Sequence, residues 1–233
     1  MIKAVFFDLY YTLVRYEPPR EEIQAGVLKE LGISVSPEVL RRPLVTADEF
    51  IHQELARTPL GQLTEKEKMA LWVRYEEVLL KEAGVAADEQ LILQVLSKSQ
   101  KVEMKLVLFD DVLPALNDLG DKGLTLGLIS NVDQDMTSLF DKLGLSSLLK
   151  VIVTSQNSGF NKPQPEIFRE AIKMAEVKAH EAIFVGDQYQ IDAVGACRAG
   201  MRGILLDREG FFPEVTDCPR VQTLAQVAEY LED

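Results

Sequence analysis

The chain has 233 residues, 37 Asp and Glu against 25 Lys and Arg for a formal charge of −12, and 47% hydrophobic residues. Those values suit one large domain or two modest ones and exclude a collagenous, low-complexity or largely disordered protein. The sign of the charge argues against a surface built to neutralise nucleic-acid phosphates or an anionic membrane face, while leaving room for a local anion site.

Residues 2–7 form a short, almost continuous apolar run, read as a strand buried on both faces as in a parallel sheet. Residues 15–103 differ. They carry charge-rich helical patterns over 21–31, 37–56, 65–83 and 88–99 without a convincing strand, and Leu71, Tyr75, Val78 and Leu79 follow the stripe of a helix packing on helices. Pro18 and Pro19 mark the near edge of this insertion. Strand-like runs then recur at 124–129, 151–153, 182–185 and 203–206, between helical stretches at 112–122, 136–143, 165–176 and 191–199. The stretch 221–231 reads as an amphipathic closing helix. Strand alternating with helix predicts right-handed βαβ units, hence an α/β doubly wound parallel Rossmann-like sheet over 1–14 and 104–233, with an all-helical insertion over 15–103.

Two cysteines, Cys197 and Cys218, are too few for a disulfide framework or a zinc cluster, so a reducing, cytosolic setting is expected. The N-terminus lacks the apolar stretch of a signal peptide, and no run approaches the roughly 20 apolar residues of a membrane span. His52 and His180 lie away from the strand ends and read as surface or capping residues, Arg41 and Arg42 as solvated, and Asp110, Asp111 and Asp133 as helix caps.

In an open parallel sheet ligands sit beyond the carboxyl ends of the strands. Asp8 follows the first strand, Ser130 and Asn131 the second, Ser155 the third, and Gly186 and Asp187 the fourth, while Lys162 lies in the loop after the third. Four strands ending this way are hard to explain as turns alone.

The segments Phe7-Asp8-Leu9-Tyr10-Tyr11-Thr12-Leu13, Leu128-Ile129-Ser130-Asn131, Lys162-Pro163-Gln164-Pro165-Glu166-Ile167-Phe168 and Gly186-Asp187-Gln188-Tyr189-Gln190-Ile191-Asp192 resemble, in this order, the four motifs of the haloacid dehalogenase-like hydrolase superfamily. The helical insertion falls where that family carries its C1 cap. The resemblance implies an enzyme in which Asp8 attacks to form an intermediate on its own carboxylate, which water then hydrolyses. It implies that Thr12, Ser130 and Lys162 orient and neutralise, and that Asp187 and Asp192, with Asp8, hold Mg²⁺.

The residues support this on physical grounds. Three carboxylates at one edge cannot all stay ionised without a cation, and an oxygen-seeking ion such as Mg²⁺ relieves the repulsion. Lys162 can keep Asp8 ionised and pair with an anion. Ser130 and Asn131, with backbone amides near Leu9 and Tyr10, can donate to phosphate oxygens. Asp192 could in addition cap the helix that follows it.

The departure lies at Tyr10. Phosphatases of the family carry a second Asp there as acid and base, and a phenol with a reference pKa of about 10 is a poor base at neutral pH. Tyr at this place resembles the 2-haloacid dehalogenases, whose halide leaves without a proton and without a metal. Tyr10 is therefore carried as a candidate catalytic residue beside Asp8 and Lys162, with simple packing as the alternative. Tyr11 stands where both branches usually have Gly. Asp187 points the other way, since the dehalogenases have neutral residues nearby. The first expectation is a Mg²⁺-dependent phosphatase acting on a small phosphorylated metabolite. The second is carbon–halogen hydrolysis, and the third a binding module on a scaffold whose chemistry has decayed. The expected partner is a small anionic substrate rather than nucleic acid or membrane, and helical caps can supply a homodimer surface. The charge is −4 over 15–103 and −8 over the rest, and Asp8, Asp187 and Asp192 belong to the larger surplus.

Overall fold

The computed structural model describes residues 1–132 and 134–232, so the Asp133 cap expectation lies outside the described residues. The chain divides into two compact units, one of Met1–Arg15 with Val107–Asp233 and one of Tyr16–Leu106.

In chain order the elements are β1 (Ala4–Phe7), β2 (Val14–Glu17), α1 (Arg20–Glu30), α2 (Pro37–Arg57), α3 (Glu65–Glu82), α4 (Glu89–Ser99), β3 (Lys105–Leu108), α5 (Val112–Asp121), β4 (Thr125–Ser130), α6 (Thr137–Lys142), β5 (Val151–Thr154), α7 (Ser155–Ser158), α8 (Pro165–Met174), β6 (Ala182–Gly186), α9 (Val194–Arg198), β7 (Arg202–Leu206) and β8 (Arg220–Val221). A π-helical turn, Tyr189–Ala193, leads into α9, and a 3₁₀ stretch, Leu224–Tyr230, closes the chain.

The larger unit is built on a six-stranded sheet of order β5-β4-β1-β6-β7-β8, parallel at every pairing. β1 is buried at all four residues and lies in register with both neighbours, Phe7 opposite Leu128 and Val185. The chain runs outward from β1 to β4 and β5, then crosses back to β6 on the other side. This order places the topological switch at β1, where loops diverge and leave a crevice. Phe6, Phe168 and Phe184 anchor the core beneath one sheet face, with Phe168 and Phe184 edge to face at 5.3 Å.

The helical unit packs α1–α4 around Leu28, Leu40, Leu44, Leu79, Leu80, Ile92 and Val95. Its helices start where capping chemistry allows. Thr64 and Glu67 form a capping box ahead of α3, and the Asp88 carboxylate accepts from the Leu91 amide at 2.8 Å ahead of α4.

Four expectations are corrected. β2 and β3 form a two-stranded sheet, β2 reaching into the 15–103 segment expected to be all-helical and β3 lying just after it, before the first strand expected there at 124–129. The closing segment is not an α-helix. Val221 pairs in parallel with Leu206, and Leu224 and Val227 are buried three residues apart, the repeat of a 3₁₀ helix. Asp192 caps no α-helix, because it sits within the π-turn, and Asp111 occupies the N-cap position of α5 without a capping hydrogen bond. Among the described residues no helix is long and apolar enough to cross a membrane.

Candidate active site

Every polar strand end on the carboxyl edge of the sheet arises from the parallel register. Asp8 is the first residue beyond β1, its amide donating to the Val185 carbonyl at 2.9 Å, and Ser130 ends β4. Asp187 is the first residue beyond β6. Lys162 reaches the same place from the loop after α7.

Asn131 fixes that loop. Its side-chain amide donates to the Lys162 carbonyl at 3.0 Å and its oxygen accepts from the Lys162 amide at 2.7 Å, so both backbone polar groups of Lys162 are held by one side chain. The bond from Lys162 to Pro163 is cis. Asn131 thus positions Lys162, a use beyond the substrate contact expected of it.

Lys162 is 3% exposed, and its Nζ lies 2.6 Å from Asp8 Oδ1 and 2.6 Å from Asp192 Oδ1. A buried ammonium is stable only when paired. Burial by itself would lower the Lys162 pKa, but the Asp192 and Asp8 carboxylates outweigh it and hold the pKa above its ordinary value. The ammonium also lies 5.0 Å from the centroid of the Phe184 ring, a cation–π contact that alternation along β6 gave no reason to expect.

Asp192 is fully buried, and burial is the main cause that raises its pKa, with Lys162 opposing and Asp8 adding to the rise. Its Oδ2 accepts the Gln188 amide at 3.0 Å. Gly186 makes this seat possible, because a Cβ there would lie 2.2 Å from Asp192 Oδ2. Gly203 plays the same part for the π-turn, where a Cβ would meet the Ala193 carbonyl oxygen at 2.2 Å. Gln188 was missed by sequence reasoning. It is 6% exposed and its side-chain amide donates to Asp187 Oδ2 at 3.1 Å, so its amide and side chain tie the two acids of one motif together.

One oxygen each of Asp8, Asp187 and Asp192 lies within 4.8 Å of the others. With Lys162 the group carries a formal surplus of two negative charges when its acids are ionised. The donor set is all carboxylate oxygen, which suits a hard divalent ion of the size of Mg²⁺. Asp8 Oδ1 accepts from Ser130 at 3.1 Å as well as from Lys162, and no hydrogen-bond partner of Asp8 Oδ2 is found among the described residues.

The turn after Asp8 is closed by the Leu9 carbonyl, which accepts from the Leu13 and Val14 amides at 2.9 Å each, and by the Tyr11 amide donating to the Val14 carbonyl at 2.7 Å. Tyr11 has φ 57°, the left-handed conformation that the usual Gly adopts freely and that costs another residue roughly 1–2 kcal/mol. The turn is therefore kept despite the unusual residue. Tyr10 is half-buried beside it, its backbone bridged to Val14. The Thr12 hydroxyl is buried with no hydrogen-bond partner among the described residues. Ser155 stays out of the group, donating to the Val132 carbonyl at 3.0 Å.

Comparison with known proteins gives this geometry its context. Residues 46–206 match the family described as haloacid dehalogenase-like hydrolase. A glyceraldehyde 3-phosphate phosphatase of Methanopyrus kandleri is 30% identical over 89% of this chain and 85% of its own. Among solved structures, a 2-haloacid dehalogenase from Pseudomonas syringae pv. Tomato DC3000 is similar at 29% identity and TM-score 0.56, covering 99% of this chain and 98% of its own. A HAD phosphatase from Thermococcus onnurineus aligns with the same TM-score of 0.56 at 23% identity, over 99% of this chain and 98% of its own. Equal likeness to a dehalogenase and a phosphatase means that fold does not choose between the two chemistries. The ordered motifs, the sheet they end and the matching relatives agree, and the chain belongs to the haloacid dehalogenase-like hydrolases.

Proposed function

We propose that this hydrolase releases phosphate from a small phosphorylated metabolite in a Mg²⁺-dependent reaction, with Asp8 as nucleophile and the helical unit Tyr16–Leu106 as its cap. The observation that carries the reading is the convergence of Asp187 with Asp8 and Asp192 around a single lysine, a negative surplus that calls for a divalent cation. The phosphatase name of the Methanopyrus kandleri relative supports it.

Asp8, Asp187 and Asp192 would hold the ion, which when bound offsets charge on the phosphoryl oxygens. Asp8 attacks phosphorus through Oδ2 while Lys162 and Ser130 hold Oδ1, so the nucleophile is oriented. The phosphorus–oxygen bond to the leaving group breaks, and an aspartyl phosphate forms on Asp8. The Thr12 hydroxyl, buried without a hydrogen-bond partner among the described residues, and the Leu9 amide would donate to the transferring group. Tyr10 is the candidate to give its phenolic proton to the departing alkoxide; the phenolate so formed can take a proton back from the water that attacks phosphorus, which breaks the bond to Asp8, releases phosphate and restores both side chains.

Carbon–halogen hydrolysis is the second reading, favoured by Tyr10 and by the 29% identical 2-haloacid dehalogenase. A panel of phosphorylated metabolites assayed with Mg²⁺ and with EDTA separates the two. The proposal expects phosphate release that needs Mg²⁺ and disappears in Asp8→Asn. Release that survives Asp8→Asn, or halide release from 2-chloropropionate in EDTA with no phosphatase activity, overturns it.

A further inference from the structure

Beyond the four motifs, the loop after β7 sends one side chain back to the turn that carries the nucleophile. Arg208 Nη2 donates to the Thr12 carbonyl at 2.9 Å. The same guanidinium forms a two-pronged pair with Asp111, Nη1 to Oδ2 at 2.9 Å and Nη2 to Oδ1 at 3.1 Å. Its carbon sits 4.0 Å from the centroid of the Phe109 ring. Asp111 also accepts from the Leu224 amide at 2.9 Å, and the Phe109 amide donates to the Leu13 carbonyl at 3.1 Å. The pair is largely shielded, with side-chain exposures of 18% for Arg208 and 23% for Asp111.

The turn has reason to need outside support. It holds Tyr11 in the left-handed region, and a strained conformation persists only where its surroundings fix it. Its internal hydrogen bonds run through Leu9, Tyr11, Leu13 and Val14, whereas the Thr12 carbonyl is met from outside. Three interactions fix the Arg208 fork before it reaches that carbonyl, so little freedom is left to it. A lysine has one compact donor head and cannot reproduce a pair, a stack and a third bond in one plane.

We propose that Arg208 is a positioning residue, clamping the Thr12 carbonyl through Asp111 and Phe109 so that the Asp8–Leu13 turn holds the nucleophile and the donors beside it in reacting geometry. This rests on the reading of Asp8 as nucleophile in phosphate release. It adds that the C-terminal segment, through Leu224 and Asp111, fixes the turn. Because the clamp acts on geometry reached in the transition state, its loss falls on kcat rather than KM.

The test pairs steady-state kinetics with amide hydrogen exchange on full-length wild type, Arg208→Ala and Arg208→Lys, at a temperature where all are folded. Arg208→Ala is expected to lower kcat about ten- to a hundredfold with KM within about threefold, as for a small misplacement of reacting groups. Exchange over residues 8–14 should quicken, and Arg208→Lys should recover only part of kcat. Unchanged kcat, a loss confined to KM, unchanged exchange over 8–14, or full recovery by Arg208→Lys each overturns the proposal. If wild type releases no phosphate, the phosphatase reading fails by itself. The exchange comparison then decides the clamp, faster exchange in Arg208→Ala supporting it and equal exchange removing it.

Discussion

Each unit of the molecule buries a group of charged and polar side chains, and the two groups are composed differently. In the helical unit, Arg20 pairs with both carboxylate oxygens of Asp48, Nη1 to Oδ1 at 3.0 Å and Nη2 to Oδ2 at 2.5 Å. The Tyr75 hydroxyl donates to Asp48 Oδ1 at 3.0 Å and accepts from Arg20 at 3.3 Å. The guanidinium and the carboxylate meet fork to fork. At the edge of the sheet, one ammonium is shared between Asp8 and Asp192 with Asp187 close by, which leaves a negative surplus and an oxygen of Asp8 with no partner among the described residues. A matched pair of opposite charges can serve packing by itself, whereas a buried cluster with a charge surplus in a crevice is a candidate to bind a ligand. The helical unit also buries an acid with no ion pair among the described residues, Glu76, which accepts from Gln24 at 2.5 Å. Burial pushes its pKa up to about 7, with the Gln24 bond opposing.

The largest expected effect comes from removing the shared cation. Lys162→Met leaves two buried carboxylates without their partner. It should abolish measurable turnover and destabilise the larger unit by about 3 kcal/mol at neutral pH, as breaking buried pairs does. Urea unfolding with an activity assay checks both. Activity retained within tenfold would show that the lysine serves packing alone.

A smaller effect is expected from Glu76→Gln, and it bears on stability. The folded-state pKa is raised from an ordinary 4.5 to about 7, so the folded form binds the proton more tightly than the unfolded chain does. The resulting stability is fully present below about pH 4.5 and is lost as pH rises through 7. Glu76→Gln keeps an acceptor for Gln24 and removes the titration. It should stabilise the protein by about 2–3 kcal/mol at pH 8, by much less at pH 5, and leave kcat within about twofold. Equal unfolding free energies for variant and wild type at pH 8 would mean that Glu76 is not held in a desolvated seat.

The same contrast explains what could be read from the sequence. Strands β1 and β4–β7 announce themselves because both faces are buried and their apolar runs are nearly unbroken. Asp8, Ser130, Lys162, Asp187 and Asp192 follow from where those runs stop. Strands β2, β3 and β8 have two to four residues each, and most of those are half-buried or exposed, so no period marks them. The closing segment read as an α-helix because Val221, Leu224 and Val227 also fit a helical stripe over so short a span. Val221 instead serves the sheet, and only the repeat of three remains. Gln188, Phe184 and Arg208 were invisible for a different reason. Each acts through a contact made in space, by a residue type with many other uses. The cap expectation for Asp111 rests on a local signal, while its partners Arg208 and Leu224 are 97 and 113 residues away.

Whether Asp8 attacks phosphorus or carbon is tested most directly by acid-quench trapping of a phosphorylated Asp8 peptide, paired with multiple turnovers in ¹⁸O-labelled water and mass spectrometry of the phosphate and of the peptide that contains Asp8. An aspartyl phosphate is opened by water at phosphorus, and an aspartyl ester left by halide displacement is opened at the carboxyl carbon. A phosphorylated Asp8 peptide is expected, with ¹⁸O in the released phosphate and none in the Asp8 carboxylate. Label accumulating in Asp8, with halide released, would contradict attack at phosphorus.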